Sequence, residues 1–457
     1  MPAQEGRLNA LASQVAAWTG GRLIGADALL VGVGHDSRSL PPGALFVALR
    51  GERSDGHDHV AGLLDRAGAV LVERELPLAI TQIVVADVLA ALQRLARAWI
   101  DTLELKRVAL TGSNGKTTTK ALTAAILARV GRTHATPGNY NNEIGVPLTA
   151  LGLGAEHRFA VIEMGCGKPG DIDELARIVP PHAAVVTNIA PAHLERLGSE
   201  PGVAEAKSGI YRGLLAGGVA VINADDAFAS CFRQQAGAHP IIDYAIDGPA
   251  AVRAERLTIG LHSTFQLNTP GGTIDIELPL PGRHNVMNAL AASCLALAVG
   301  APLEAIAAAL AEAEAVAGRQ RRLQVRGGVV YDDSYNANPG SLVAAIETLA
   351  LEPPPRWLVL GDMAELGPQA PRLHARCGAL ARARGIERLY AVGPLSLAAA
   401  EAFGDGAVHF AAVEALIDEI GNQWRPGTTA LIKGSRSARM ERVVAALAGS
   451  DSAGENH

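Results

Sequence analysis

Residues 107–119 read Arg107-Val108-Ala109-Leu110-Thr111-Gly112-Ser113-Asn114-Gly115-Lys116-Thr117-Thr118-Thr119. A short apolar run breaks at a glycine turn, and a helical pattern then continues to Val130 and stops at Gly131. Strand, glycine turn and helix start are the layout of a phosphate cradle. Backbone N–H groups of the turn face an anion, and the helix N-terminus adds partial positive charge. In that layout Gly112, Ser113, Asn114, Gly115 and Thr118 wrap the phosphates. Lys116 reaches the terminal ones, and the Thr117 hydroxyl suits Mg²⁺. The turn is two residues shorter than the longer P-loop pattern: Leu110 stands where that pattern has its first glycine, and Gly112 serves instead.

Outward from this turn, short apolar runs at 159–163, 183–188 and 219–223 alternate with helical stretches. That alternation predicts a mainly parallel, doubly wound sheet. Ligands of such sheets gather at the carboxyl ends of the strands. Those ends carry the glycine turn, Glu163, Asn188 with His193, and Asn223 with Asp225 and Asp226. Taken singly these are ordinary residues: strand-end carboxylates are often just solvated, a lone His is more often structural, and Lys207 reads as a helix-surface cation. Beside a P-loop threonine, however, a carboxylate and an imidazole are hard-metal ligands around phosphates. Residues 250–281 alternate as an antiparallel flap, and Pro281-Gly282-Arg283-His284-Asn285 opens a helix to Val299, with Asn285 a candidate cap. Gly318-Arg319 reads as a hinge.

The expected units are 1–84, 85–316 and 317–457, in keeping with a length prior of about 150 residues per domain. The first has a helix over 8–17 and strands near 44–49, 69–72 and 83–85. Its polar loops, His35-Asp36-Ser37-Arg38 and Gly51-Glu52-Arg53-Ser54-Asp55-Gly56-His57, read as solvated turns, while Asp36-Ser37-Arg38 could equally hold a diphosphate through hydroxyl and guanidinium. The third unit is a second α/β sheet, with strands near 328–331, 357–360, 388–392 and 430–432 that each run into a polar loop. The tail from Gly449 to His457 reads as frayed.

A net charge of −6 argues against nucleic-acid or membrane-surface partners. Four scattered cysteines without a CxxC favour a reducing compartment and no zinc site. With no signal-peptide pattern and no bilayer-length apolar run, a cytoplasmic protein is expected. Of 40 basic side chains only six are lysine: Lys106, Lys116, Lys120, Lys168, Lys207 and Lys433. Where arginine is the generic surface cation, a surviving lysine marks a need for a compact or deprotonatable amine. Lys106 and Lys120 read as plain surface residues; Lys116, Lys207 and Lys433 sit among other chemistry.

Thr-Gly-Ser-Asn-Gly-Lys-Thr-Thr (111–118) resembles the short P-loop of the Mur ligases, ATP-dependent enzymes that build the peptidoglycan peptide stem. So do Thr-Pro-Gly-Asn-Tyr-Asn-Asn-Glu-Ile-Gly-Val-Pro (136–147), Glu163, His193, Gly-Arg-His-Asn (282–285), Gly318-Arg319 and Lys-Gly-Ser-Arg-Ser (433–437). Residues 332–339 and 361–367, with 35–38 and 42–49, are most similar to the branch that adds D-alanyl-D-alanine to a UDP-linked tripeptide. The Asp-Asn-Pro-Arg motif of the diaminopimelate-adding branch is absent. The competing readings are that sister branch, a folylpolyglutamate synthase, and a P-loop switch without chemistry of its own.

The resemblance implies a three-domain α/β fold: a small N-terminal unit, a central P-loop unit and a Rossmann-like C-terminal unit that closes over the nucleotide and binds the dipeptide. It implies ATP and two Mg²⁺ ions, with Lys116, Glu163, His193 and Lys207 catalytic. Thr117 and Glu163 would hold one ion, and His193 and Lys207 the other, Lys207 after carbamylation by CO₂. Asn285 would contact adenine, and Arg319 and Asp333 would close over the nucleotide. Ser37 and Arg38 would hold the UDP end, with Thr136, Asn139, Asn142, Asn336 and Asn338 as further substrate contacts. Small-molecule substrates and a monomer are expected.

Overall fold

The computed structural model describes residues 8–51, 54–191 and 194–449. Within it the strand Lys106–Thr111 lies inside a nine-stranded sheet, flanked in parallel by Phe159–Glu163 and Ala183–Val186. Thr133–Ala135 closes one edge. On the other side Val219–Asn223, Ile241–Ala245 and Val252–Thr258 continue the parallel run. The chain builds one side of the sheet first and then crosses to build the other, so strand order reverses beside Lys106–Thr111. That reversal opens the crevice in which an open α/β sheet binds its ligand.

Burial on both faces explains the near-continuous apolar runs of these strands. Val108 and Leu110 pack with Leu122 and Ile126 of the helix Lys116–Ala128 and with Val286 and Leu290 of the helix Arg283–Ala298. Ala109 faces the opposite core, with Ile162, Val186 and Ile210. The expected antiparallel flap is not a separate flap. Ser263–Thr269 and Gly272–Leu278 are antiparallel, but they extend the central sheet from Val252–Thr258. The reason is their apolar alternation: Ala254, Phe265, Leu267, Ile276 and Leu278 join the same core as the flanking helices.

The first five-stranded sheet runs in the order Arg22–Ile24, Gln82–Val84, Ala69–Val72, Leu45–Val47, Val33–Gly34. The helix expected from residue 8 begins only at Ala12, because Asn9–Leu11 pairs antiparallel with Leu29–Val31. Helix Val88–Asp101 buries Val88, Ala91, Leu92, Leu95, Ala96, Trp99 and Ile100, spacings of three and four that form one stripe. It stands in a core continuous from Leu45, Leu71 and Ile83 to Ile162 and Val186, so the first sheet shares its packing with the central one. Asp87 caps this helix, its side chain accepting from Ala90 N at 2.9 Å. Asp87→Ala should cost about 1 kcal/mol, the usual value of such a cap, read as a lower urea midpoint with native activity retained.

The third sheet has six strands. Gly328–Asp333, Thr429–Lys433, Arg356–Gly361, Arg388–Val392 and Ala407–Phe410 pair in parallel. Arg321–Val325 adds an antiparallel edge that the sequence reading lacked. Among the described residues no helix is long and apolar enough to cross a membrane.

Candidate active site

Gly112 and Gly115 bracket the turn after Lys106–Thr111, both with positive φ (149° and 79°). A Cβ on Gly112 would run into the Thr187 hydroxyl, and one on Gly115 into the Asn288 amide oxygen, so the turn can press against its neighbours only as glycine. The strand end at Ala183–Val186 staples the turn from below. Asn188 Oδ1 accepts from Asn114 N at 3.0 Å, Thr187 Oγ1 donates to Asn114 O at 2.6 Å, and Ser113 N donates to Asn188 O at 2.9 Å. Helix Lys116–Ala128 starts immediately after, which leaves its first N–H groups directed at the turn. Lys116 folds back so that Nζ donates to Gly112 O at 2.8 Å. Burial lowers its pKa and nearby Arg319 adds to that, against the opposing pull of Glu163.

A cavity of about 370 Å³ opens above this turn. Its floor is Ser113 to Thr118, and its roof comes from the third sheet: Arg319, Asn336, Asn338, Ser341, Glu365 and the Ser435–Ser437 loop. The two walls touch where Asn338 Nδ2 donates to Asn114 Oδ1 at 2.7 Å. Asn338 also caps the helix Pro339–Leu349, its Oδ1 accepting from Ser341 N at 2.9 Å. Arg319 lies over the Tyr335 ring, 4.1 Å from its centroid, with Arg436 on the same ring at 5.9 Å. Two guanidinium groups thus face a cradle of N–H donors, an arrangement matched to a polyanion.

Glu163 ends its strand almost fully buried. Its Oε1 accepts from Asn141 Nδ2 at 2.8 Å, its backbone N–H donates to Thr136 Oγ1 at 2.9 Å, and Lys120 Nζ stands 3.2 Å from Oε2. Lys207, on the helix Glu200–Arg212, is 1% exposed. Burial, then the neighbouring Lys116 charge, bring its pKa down to about 7, with the Cys166 thiol opposing. An amine so placed is largely neutral at pH values above 7. His193 lies outside the described residues.

Other expectations meet different partners. Asp333 does not line the cavity: it is buried beside Lys433, Oδ2 to Nζ at 2.7 Å, because the two are register partners on adjacent parallel strands. Burial pushes Asp333 up and Lys433 down, each opposed by the other's charge. Lys433 also donates to Asn336 O at 2.9 Å, which fixes the loop that presents Asn336 to the cavity. Asn285 is likewise turned inward. Its Nδ2 donates to Pro281 O at 2.8 Å and its Oδ1 accepts from Asn288. The cap position of that helix belongs to Gly282. Asn139 is exposed, and Asn142 spends its Oδ1 on Gly145 N at 2.9 Å. Ser37 and Arg38 sit on the first sheet's rim, away from this cavity, with Arg38 paired to Asp36 at 2.7 Å.

Three residues escaped the sequence reading. Lys120, read as surface, is buried; Asn141, rather than its neighbours, grips Glu163; Asn288 backs Gly115. The lysine shortage was the one available signal for Lys120, which falls one helical turn after Lys116. Among the described residues no group of three or more His, Cys, Asp and Glu gathers as a metal cluster.

Sequence profiles of the Mur ligases match this chain in three places: the family's catalytic domain over 30–100, the middle domain over 110–296 and the glutamate ligase domain over 318–436. The UDP-N-acetylmuramoyl-tripeptide–D-alanyl-D-alanine ligase of Escherichia coli K12 is 45% identical over 447 residues, 95% of this chain and 97% of that protein. Among solved structures, MurF from Acinetobacter baumannii has a TM-score of 0.91 at 36% identity, covering 97% of this chain and 99% of that one. MurF from Thermotoga maritima in complex with ADP has a TM-score of 0.81 at 26% identity, covering 90% and 96%.

Proposed function

This chain belongs to the Mur ligase family, and on that premise we propose that it joins D-alanyl-D-alanine to UDP-N-acetylmuramoyl-tripeptide. ATP is consumed, and UDP-N-acetylmuramoyl-pentapeptide, ADP and phosphate are formed in the synthesis of peptidoglycan precursors. The observation that carries this reading is the cavity itself, where a phosphate cradle on one sheet meets Arg319, Asn338 and Arg436 from another. A nucleotide switch needs no such second wall.

The chemistry follows from charge. A carboxylate is a poor electrophile, so the tripeptide's terminal carboxylate first takes the γ-phosphoryl group, forming an acyl phosphate and ADP. The dipeptide amine then adds to the acyl carbon, and the tetrahedral adduct expels phosphate. Lys116 and the N–H groups of the turn stabilise charge on the transferring group. Arg319 and Arg436 hold the phosphates from above, and the two walls together exclude water from an intermediate that hydrolyses readily.

Mg²⁺ keeps several waters and takes few protein ligands beside phosphate oxygens. Thr117 at the cavity floor and the buried Glu163 carboxylate fit one such ion, whose contribution is to neutralise phosphate charge. Lys207 fits the second ion once carbamylated, since CO₂ adds only to a neutral amine and this one is depressed to about 7. His193 is its expected companion. The UDP end is assigned to Ser37 and Arg38 in the unit 1–84, the nucleotide to 85–316 and the dipeptide to 317–457. The protein is assigned to the cytoplasm as a monomer.

Phosphate release should require ATP, UDP-tripeptide and dipeptide together. Steady release with ATP alone would favour the switch, and product mass identifies the pentapeptide. Gly115→Ala should weaken ATP binding at least about tenfold in calorimetry. The new methyl meets Asn288, and the left-handed backbone costs a residue with a side chain roughly 1–2 kcal/mol.

A further inference from the structure

Lys116 and Lys120 lie one turn apart on the same face of the helix Lys116–Ala128. The first serves the phosphate turn. The second has no place in the chemistry above, yet it is one of only six lysines and is buried. Among the described residues its ammonium makes two polar contacts: 2.6 Å to Gly138 O, which accepts a hydrogen bond, and 3.2 Å to Glu163 Oε2. Gly138 belongs to the 136–147 segment, which also supplies Thr136 and Asn141 to Glu163.

A carboxylate 2% exposed stays ionised only beside a compensating cation, because burying an uncompensated charge is strongly unfavourable. Among the described residues, Lys120 is in contact with Glu163 and the Lys116 charge also acts on it. We propose that Lys120 is a built-in stand-in for the metal: its ammonium neutralises Glu163 and pins the 136–147 segment until a divalent cation takes over the carboxylate. It is a positioning residue, acting on the metal ligand and on the segment that carries substrate contacts. When the cation binds, Lys120 keeps its bond to Gly138 O and gives up only Glu163, so the site never holds a bare carboxylate. The exchange also sets a threshold, since the metal must displace an ammonium, and it binds well only with the added pull of nucleotide phosphates. This inference rests on the reading of Glu163 as a metal ligand.

Lys120→Met keeps the unbranched stem of the side chain, one atom shorter, and removes its charge. Without nucleotide or metal, its Tm should fall by about 5 °C or more. Added Mn²⁺ alone should then raise its Tm well beyond the shift seen in the parent protein, with apparent affinity at least about tenfold tighter by titration. Lys120→Met/Glu163→Gln should recover metal-free stability and lose the enhanced Mn²⁺ response, because no charge remains to be compensated. An Mn²⁺ response of parental size in Lys120→Met would overturn the stand-in role. An enhanced response that persists in the double variant would instead place the metal elsewhere and overturn the reading of Glu163. If Lys120→Met fails to fold, a folded double variant still supports the proposal, and failure of both would show that Lys120 serves packing alone.

Discussion

Lys116→Arg is expected to lower kcat by at least about 10²-fold, the scale of losing one placed charge-stabilising donor. Charge is conserved in this change, so the loss tests geometry. Lys116 must turn back over Gly112 O within a closed floor, and a planar guanidinium can neither fold into that space nor present a point charge to the transferring group. Single-turnover kinetics should show a slowed chemical step with ATP affinity changed much less. A near-parental rate would mean that another group neutralises the terminal phosphate and that this P-loop assignment is wrong.

Lys207→Met should likewise remove activity by at least about 10²-fold, since even outer partners of a metal matter on that scale, while making the protein more stable. The sign follows from the proton balance. Unfolded, Lys207 keeps its ordinary pKa of 10.5; folded, it is depressed to about 7. Between those values the unfolded chain binds a proton that the folded chain does not, so stability rises with pH across the window. Below pH 7 the full penalty of a buried ammonium is present, on the order of a few kcal/mol. In bicarbonate-free buffer the variant's Tm advantage should therefore be greatest at or below pH 7 and shrink toward pH 10. Parental activity in the same fold should depend increasingly on added bicarbonate as pH falls below 7, where the reactive neutral amine becomes scarce. An unchanged Tm difference across this range would place Lys207 in a solvated site.

The two lysines show why a small amine is retained in an arginine-rich chain. Lys207 is buried and Lys116 half-buried, each where an invariant guanidinium charge could be neither folded in nor discharged. Lys433 fits the same rule as the partner of Asp333, and Lys120 as the partner of Glu163. Four of the six lysines are thus engaged inside or beside the cavity, whereas Lys106 and Lys168 are exposed.

By itself the chain's order of residues determined the alternating α/β units, the glycine turn between strand and helix at 111–118 and the strand-end position of Glu163. Those features are written in local signals: apolar runs of strand length, glycines at left-handed positions and helical spacing such as that of residues 88–100. Tertiary structure alone decided which polar groups meet. Parallel register joins Asp333 to Lys433 across 100 positions. Folding of the 136–147 segment over a helix face turns Lys120 inward and selects Asn141 over Asn139 and Asn142. Docking of the third sheet sets Asn338 on Asn114, 224 residues away. Hydrophobic periodicity reports which face is buried, because burial repeats along one element. A polar contact depends on the distance between two elements, and that distance exists only once both are packed.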